Sequence, residues 1–307
     1  MNVFLAAVYT NQYCQDQKQW PHFNDHERGL VNAIPHILES YHYVGAQRYV
    51  DDMRRNGAQI FLDSGAFSAK NLGVDIDVNA YCDYIIRNKD IIRVEDGVLM
   101  ASVLDGIGDP QKTYENQLHM EKCGARPMPC FHYGEDERYL EWYLKHYDYI
   151  TFGGMVSAKT DNLIKWLDRI WSKYLLDGSG RPRVKTHAFG VTTIKLMERY
   201  PWHSVDSSSW IQAASFGSVY TPQWGPISIS EKSPSRHDAG KHITTFTEVE
   251  QQLVKELLAS QGFDWQRLST VYQSRAAYNL WAYCELNKMI DARGNRDHIA
   301  LHVQELF

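Results

Sequence analysis

Gln59-Ile60-Phe61-Leu62-Asp63-Ser64-Gly65-Ala66-Phe67-Ser68 is the stretch on which the fold turns. Its short apolar run ends at an acid, passes through a Ser-Gly-Ala turn and continues into helix-compatible sequence. Near-continuous rather than alternating apolarity suits a strand covered on both faces, as a parallel sheet requires. Runs of the same kind recur at Val3–Val8, Val98–Asp105, Pro127–Tyr133, Tyr149–Gly153, Val184–Gly190 and His203–Ser208. The last of the series is either Ser218–Thr221 or Ile227–Ser230. Helix-compatible stretches follow them, as in Asp161–Trp171, where apolar residues fall at helical spacing. Eight such units predict an α/β fold, a (β/α)8 barrel of the TIM type over residues 1–245. Thr247–Ala259 and Ser274–Met289 read as amphipathic helices, which predicts a helical C-terminal extension over 246–307 packed on the barrel.

Composition fits that frame. A chain of 307 residues suits one barrel with a modest appendage. With 44% hydrophobic residues it can build a large core without disulfide or metal staples. Its five cysteines, Cys14, Cys82, Cys123, Cys130 and Cys284, include no CxxC pair and read as reduced thiols of a cytoplasmic compartment. The apolar N-terminus is too short for a signal sequence, and no run approaches the length of a membrane span. The net charge of -5 argues against a globally basic nucleic-acid binder, leaving room only for a local basic rim.

In a barrel of this type the residues that follow the strands face the substrate. Here they are Asp63, Asp105, Tyr133, Gly154, His187–Phe189 and Asp206. A single strand-end aspartate is as easily a helix cap. Three of them beside aromatics and a Gly-Gly turn point to a site.

Leu62-Asp63-Ser64-Gly65-Ala66-Phe67-Ser68 resembles the Asp-Ser-Gly-Gly-aromatic turn of the tRNA-guanine transglycosylase superfamily. The resemblance continues in chain order. Val103-Leu104-Asp105, with Asp109-Pro110 and Thr113-Tyr114-Glu115 behind it, is similar to the family's base-reading segment. Phe152-Gly153-Gly154-Met155-Val156 resembles its Gly-Gly-Leu turn, and His187-Ala188-Phe189-Gly190-Val191 the segment that covers the base. His203-Ser204-Val205-Asp206-Ser207-Ser208 stands in the place of the nucleophile segment. The matches span roughly residues 59 to 210. Departures are informative: Tyr133 stands where the family has a base-contacting Gln, and Ala66 replaces a glycine. The Cys-x-Cys-x-x-Cys zinc segment of the tRNA enzymes is missing, as only Cys284 lies beyond Cys130. The pattern is most similar to the phage-type and bacterial DNA-guanine transglycosylases, which place 7-deazaguanines in DNA.

That resemblance implies exchange of guanine for a 7-deazaguanine base of the preQ0 type, with DNA and the free base as substrates and no cofactor or metal. Keeping the β configuration at C1′ takes two inversions, hence a covalent glycosyl-carboxylate. Asp206 is the expected nucleophile, with Ser207-Ser208-Ser209 able to hydrogen-bond it, and Asp63 the expected general acid and base. Asp105 would accept from N1–H and the exocyclic amine of guanine. Gly154 and Met155 would hold the other edge through their backbone, and Phe67 and Phe189 would sandwich the ring. Ser64, Tyr133, Gly153 and His187 complete the expected base pocket.

Lys70, Lys159, Lys232, Arg236 and Lys241 lie in loops after strands and are the expected phosphate contacts. Arg181-Pro182-Arg183-Val184-Lys185 precedes a strand and belongs to the opposite face. Tyr13, Trp20, His22 and Phe23 of the first loop could stack on flanking bases. Within the resemblance the alternatives are a transglycosylase acting on tRNA, a glycosidase that only removes a base and a non-catalytic partner subunit; outside it, an unrelated metal-dependent hydrolase. The thirteen histidines include no HxH or HExxH pattern, which disfavours the last. The resemblance also implies a homodimer.

Overall fold

The computed structural model describes residues 1–9, 20–156, 158–191, 193–221 and 223–292. Its contacts divide the chain into two units. One gathers Met1–Ala6, His36–Ser207 and the described residues from Ile290 on; the other gathers the described residues of Ala7–Pro35 and Ser208–Met289. The division at Ser207/Ser208 comes well before residue 245, and the second unit takes in an N-terminal stretch as well.

The first unit is built on seven parallel strands: β1 (Asn2–Ala6), β2 (Ile37–Ser40), β3 (Ile60–Asp63), β6 (Cys130–His132), β7 (Tyr149–Gly153), β8 (Lys185–Ala188) and β9 (Ser204–Ser207). They form one curled sheet in the order β3-β2-β1-β9-β8-β7-β6. Between β3 and β6 in sequence, β4 (Val94–Glu95) and β5 (Val98–Leu99) make a two-residue antiparallel ribbon. Around the sheet run α2 (Tyr41–Val44), α3 (Gln47–Arg55), α4 (Ala66–Asn71), α5 (Val78–Arg87), α6 (Pro110–Lys122), α7 (Glu137–His146), α8 (Thr160–Ile170) and α9 (Ile194–Arg199). Local sequence sets their starts: Asp77, Asp109 and Asp136 each accept a backbone N–H at the head of α5, α6 and α7, and Pro110 opens α6. Leu163, Trp166, Leu167 and Ile170 form the buried face of α8.

Strand alternation sorts the inward residues into layers. Leu38 pairs in register with Phe61, Ser40 with Asp63, and Phe4 with Asp206. Phe4, Leu38, Phe61, Met100, Met128 and Tyr149 pack into one apolar cluster. Two residues further along β2 and β3 the same face turns polar, with Ser40 and Asp63. The sheet therefore carries an apolar plug under a polar mouth.

Two expectations about strands fail. Ser218–Thr221 and Gly225–Ser228 do not join the sheet; as β10 and β11 they form a separate antiparallel hairpin in the second unit. The uncounted strand is β2, whose Ile37-Leu38-Glu39-Ser40 is short and broken by a charge, so it shows no clean apolar run. Of Val98–Asp105, only the stretch around 100–103 reaches the sheet. Leu62 N donates to Met100 O and Ser102 N to Leu62 O, at 2.8 Å each, while Val103 N donates to Met128 O at 3.0 Å.

The second unit holds α1 (Asp25–Asn32), α10 (Ser209–Ser215), the hairpin, α11 (Glu248–Ser260), α12 (Trp265–Thr270) and, as far as Met289, α13 (Tyr272–Ala292). Val219, Ile227, Val254, Leu258, Leu268 and Tyr278 are in its core. Arg267 clamps the buried Glu27 with two hydrogen bonds of 2.6 and 3.0 Å. Among the described residues, no helix is long and apolar enough to cross a membrane.

Candidate active site

Asp63 closes β3, and the turn after it fixes its carboxyl. Oδ2 accepts from Ser40 Oγ at 2.8 Å and from Gly65 N at 3.0 Å; Ser102 Oγ lies 3.4 Å from Oδ1. Burial, together with the nearby Asp105 and Asp206 carboxyls, pushes the acid up to about 6 against the opposing pull of the Ser40 hydroxyl. Gly65 makes this turn possible. Its φ is 75°, and a Cβ there would stand 2.6 Å from His42 Cβ. Gly65→Ala is expected to cost on the order of 3 kcal/mol, from left-handed backbone strain plus the clash. A thermal unfolding midpoint equal to wild type would show that the turn relaxes freely.

Asp206, in β9, is only 8% exposed. Gly190 N donates to its Oδ1 at 2.8 Å. His187, fully buried on β8, lies alongside, with Nε2 3.3 Å from the same oxygen at an angle short of a hydrogen bond. Its Nδ1 is 2.8 Å from Ser204 Oγ, which is 2.7 Å from the Tyr149 hydroxyl. Burial lowers the pKa of His187 despite Asp206 beside it. A neutral ring with Nε2 facing a carboxylate oxygen is best satisfied with the proton on Nε2 and Nδ1 accepting from Ser204.

The third carboxyl, Asp105, follows the bridging stretch. Its Oδ2 lies 3.4 Å from His132 Nε2, and Oδ1 is buried with no hydrogen-bond partner among the described residues. Cys130 Sγ is 3.5 Å from the same Nε2. On the far side of the ring, Nδ1 lies 2.8 Å from Glu135 Oε1, while Glu135 Oε2 accepts from His132 N at 3.0 Å. Burial opposes charging of His132, but the Cys130 sulfur and the Asp105 carboxyl outweigh it and raise the imidazole pKa. Burial pushes the Cys130 thiol up to about 11. Gly153 makes room for both side chains: a Cβ there would fall 2.9 Å from His132 Cδ2 and 3.1 Å from Cys130 Sγ.

Other expected residues divide. Ser64 is buried, its Oγ turned back to Ala66 N at 3.4 Å. Gly154 is exposed with φ 71°, and Met155 is buried. Phe189 packs its ring against Phe61 and His187, on the inward side of the sheet. Phe67 heads α4 and is 57% exposed, without the enclosure expected of one side of a ring sandwich. Tyr133 is displaced from the site: its ring meets Trp166 of α8 edge-on at 5.2 Å. The inward residue is its neighbour His132, because adjacent strand residues face opposite ways. His132, Cys130 and Ser40 are thus site residues that the sequence reading passed over. The Cys130-Phe131-His132 alternation was the available signal for two of them.

The cationic set also divides, with Lys70 and Lys159 in the first unit and Lys232, Arg236 and Lys241 in the second. Lys70 Nζ donates to Ile107 O at 2.5 Å, and Lys241 pairs with Asp238 at 3.3 Å. Phe23 is buried core rather than a stacking surface, and His22 is exposed. Tyr13 and the side chain of Trp20 lie outside the described residues. At the strand starts, a cavity of about 660 Å³ is lined by Glu95, Asp96, Arg183, Lys185 and His203 among others. Lys185 bridges Glu95 and Asp96 there at 3.0 and 2.5 Å. That polar end of the first unit is opposite the mouth that holds Asp63 and Asp206.

The mouth therefore offers a carboxyl poised to hold or give a proton near neutrality and a second, oriented by a backbone N–H. It also offers a third with a free acceptor oxygen. The sequence matches no protein-family model and no curated protein.

Proposed function

We propose that this protein is a guanine transglycosylase acting on DNA, exchanging guanine for a 7-deazaguanine. In this reading the curled sheet is a (β/α)8 barrel whose eighth strand position is the stretch around 100–103. The observation that carries it is that Asp63 and Asp206 stand at or next to the ends of the parallel strands β3 and β9, with Asp105 just past the stretch that bridges β3 to residue 128.

Asp206 attacks C1′, the C1′–N9 bond breaks, and its electron pair leaves with guanine, which takes the proton held by Asp63. The incoming base gives its N9 proton back to Asp63 and attacks C1′ from the opposite side, releasing Asp206. Two inversions restore the original configuration. The unpartnered Asp105 Oδ1 supplies an acceptor for the base edge. DNA is preferred to tRNA because the cysteine pattern of the tRNA enzymes is missing from the sequence.

Purified chain offered labelled guanine with duplex DNA, single-stranded DNA and tRNA is the direct test. Incorporation into DNA is expected. Incorporation into tRNA alone moves the reading to the RNA enzymes, and incorporation into neither ends it. Asp105→Asn should reduce discrimination between guanine and hypoxanthine by roughly tenfold or more, the worth of a hydrogen bond to a charged acceptor. Nucleic-acid affinity, read by fluorescence anisotropy, should change less; equal losses would remove Asp105 from base reading.

A further inference from the structure

We infer that Asp105, Cys130 and His132 form a mononuclear metal site suited to Zn2+. The inference stands on the cluster's own geometry and goes beyond the transglycosylase reading.

The three candidate ligand atoms, Asp105 Oδ, Cys130 Sγ and His132 Nε2, lie within 4.8 Å of one another. The two edges that meet at Nε2 are 3.5 Å to sulfur and 3.4 Å to oxygen. A tetrahedral zinc, with bonds of about 2.0 Å to nitrogen and oxygen and about 2.3 Å to sulfur, sets its ligands roughly 3.3–3.5 Å apart. Both edges at Nε2 match such a shell; the sulfur edge is also within hydrogen-bonding reach, whereas the nitrogen–oxygen edge is wider than the about 2.8 Å of a well-formed hydrogen bond.

Three further features fit. Glu135 holds His132 Nδ1 at 2.8 Å, so Nε2 is the nitrogen presented, and a carboxylate behind a metal-binding imidazole both orients it and raises its basicity. Gly153 leaves the space that the imidazole and the sulfur occupy. Asp105 Oδ1, buried and unpartnered, remains over when Oδ2 is a ligand, so metal binding and base reading can share one carboxyl. Thiolate, imidazole and carboxylate together favour zinc and its transition-metal neighbours over magnesium or calcium. Cys130 binds as thiolate and releases its proton to solvent, and three protein ligands leave a fourth position open to water or a ligand atom.

The test uses the full chain, stripped with a chelator and titrated separately with Zn2+ and Co2+. One metal per chain is expected, with a rise in the thermal midpoint on Zn2+ addition. Cobalt should give a near-ultraviolet thiolate charge-transfer band and the visible bands of a tetrahedral ion. Cys130→Ser should lose the charge-transfer band. Glu135→Gln should keep it while weakening metal affinity by about 10- to 100-fold. Wild-type chain without the band overturns the site, as does a band that survives Cys130→Ser or a Glu135→Gln variant that binds as tightly as wild type. Should Cys130→Ser fail to fold, the wild-type spectrum and the Glu135 variant still decide. No nucleic acid enters the measurement, so failure here and failure of the base-exchange assay are separate results.

Discussion

Asp206→Asn is expected to lower base exchange by about ten-thousand-fold or more while leaving the protein folded. The size follows from the chemistry, since an amide cannot form the glycosyl ester and removing a covalent nucleophile forfeits a whole pathway. The fold should survive because the amide oxygen can still accept the Gly190 N–H that now holds Oδ1 at 2.8 Å. Rapid denaturation during turnover should trap a protein–DNA adduct in the wild type and none in the variant. Exchange near the wild-type rate would assign the nucleophile elsewhere.

Asp63→Asn has two opposed consequences. As the proton carrier, its loss should cost roughly 100- to 10,000-fold in exchange rate. Stability should move the other way. The folded carboxyl sits at about 6 against an ordinary value of 3.8, so between those values the native state holds a proton that the unfolded chain has lost. The stability contributed by the protonated acid is complete below about pH 4 and disappears as pH rises through about 6. Above that, the wild type carries a buried charge beside two other carboxyls, worth up to about 3 kcal/mol, and the amide variant does not. Asn can still accept from Ser40 and Gly65. Chemical denaturation at pH 4.5 and 7.5 checks this: the variant should gain on the wild type at the higher pH. An advantage that grows as pH falls would refute the elevated acid.

Much of the first unit was legible because buried parallel strands are written as uninterrupted apolar runs. Val3-Phe4-Leu5, Ile60-Phe61-Leu62 and Tyr149-Ile150-Thr151-Phe152 all form strands where expected. The same rule also misled. Ser218–Thr221 is a short run bounded by turns, and nothing in four residues tells a parallel strand from one arm of a hairpin. Ile37-Leu38-Glu39-Ser40 has the opposite problem, because a buried glutamate interrupts it. Asp63 and Asp206 stand out in the sequence as candidates because they come at or next to the ends of apolar runs, where a barrel of this type turns side chains toward a substrate. Tyr133 follows His132 directly, and at a strand end one residue is the whole difference between inside and outside. The cluster of residues 105, 130 and 132 carries no linear motif, since its members come from separate segments that only the sheet brings together.

The row running from Tyr149 through Ser204 to His187 ties down one ring nitrogen of that imidazole, while the other faces the Asp206 carboxyl without a hydrogen bond. Burial lowers the pKa of the ring, which favours its uncharged form. With the imidazole lowered and the carboxyl at position 63 raised to about 6, an inflection near pH 6 in the exchange rate is expected from that carboxyl, although it falls where enzymologists habitually place histidine. Its small heat of ionisation, measured as a midpoint that barely drifts on warming, would identify the owner.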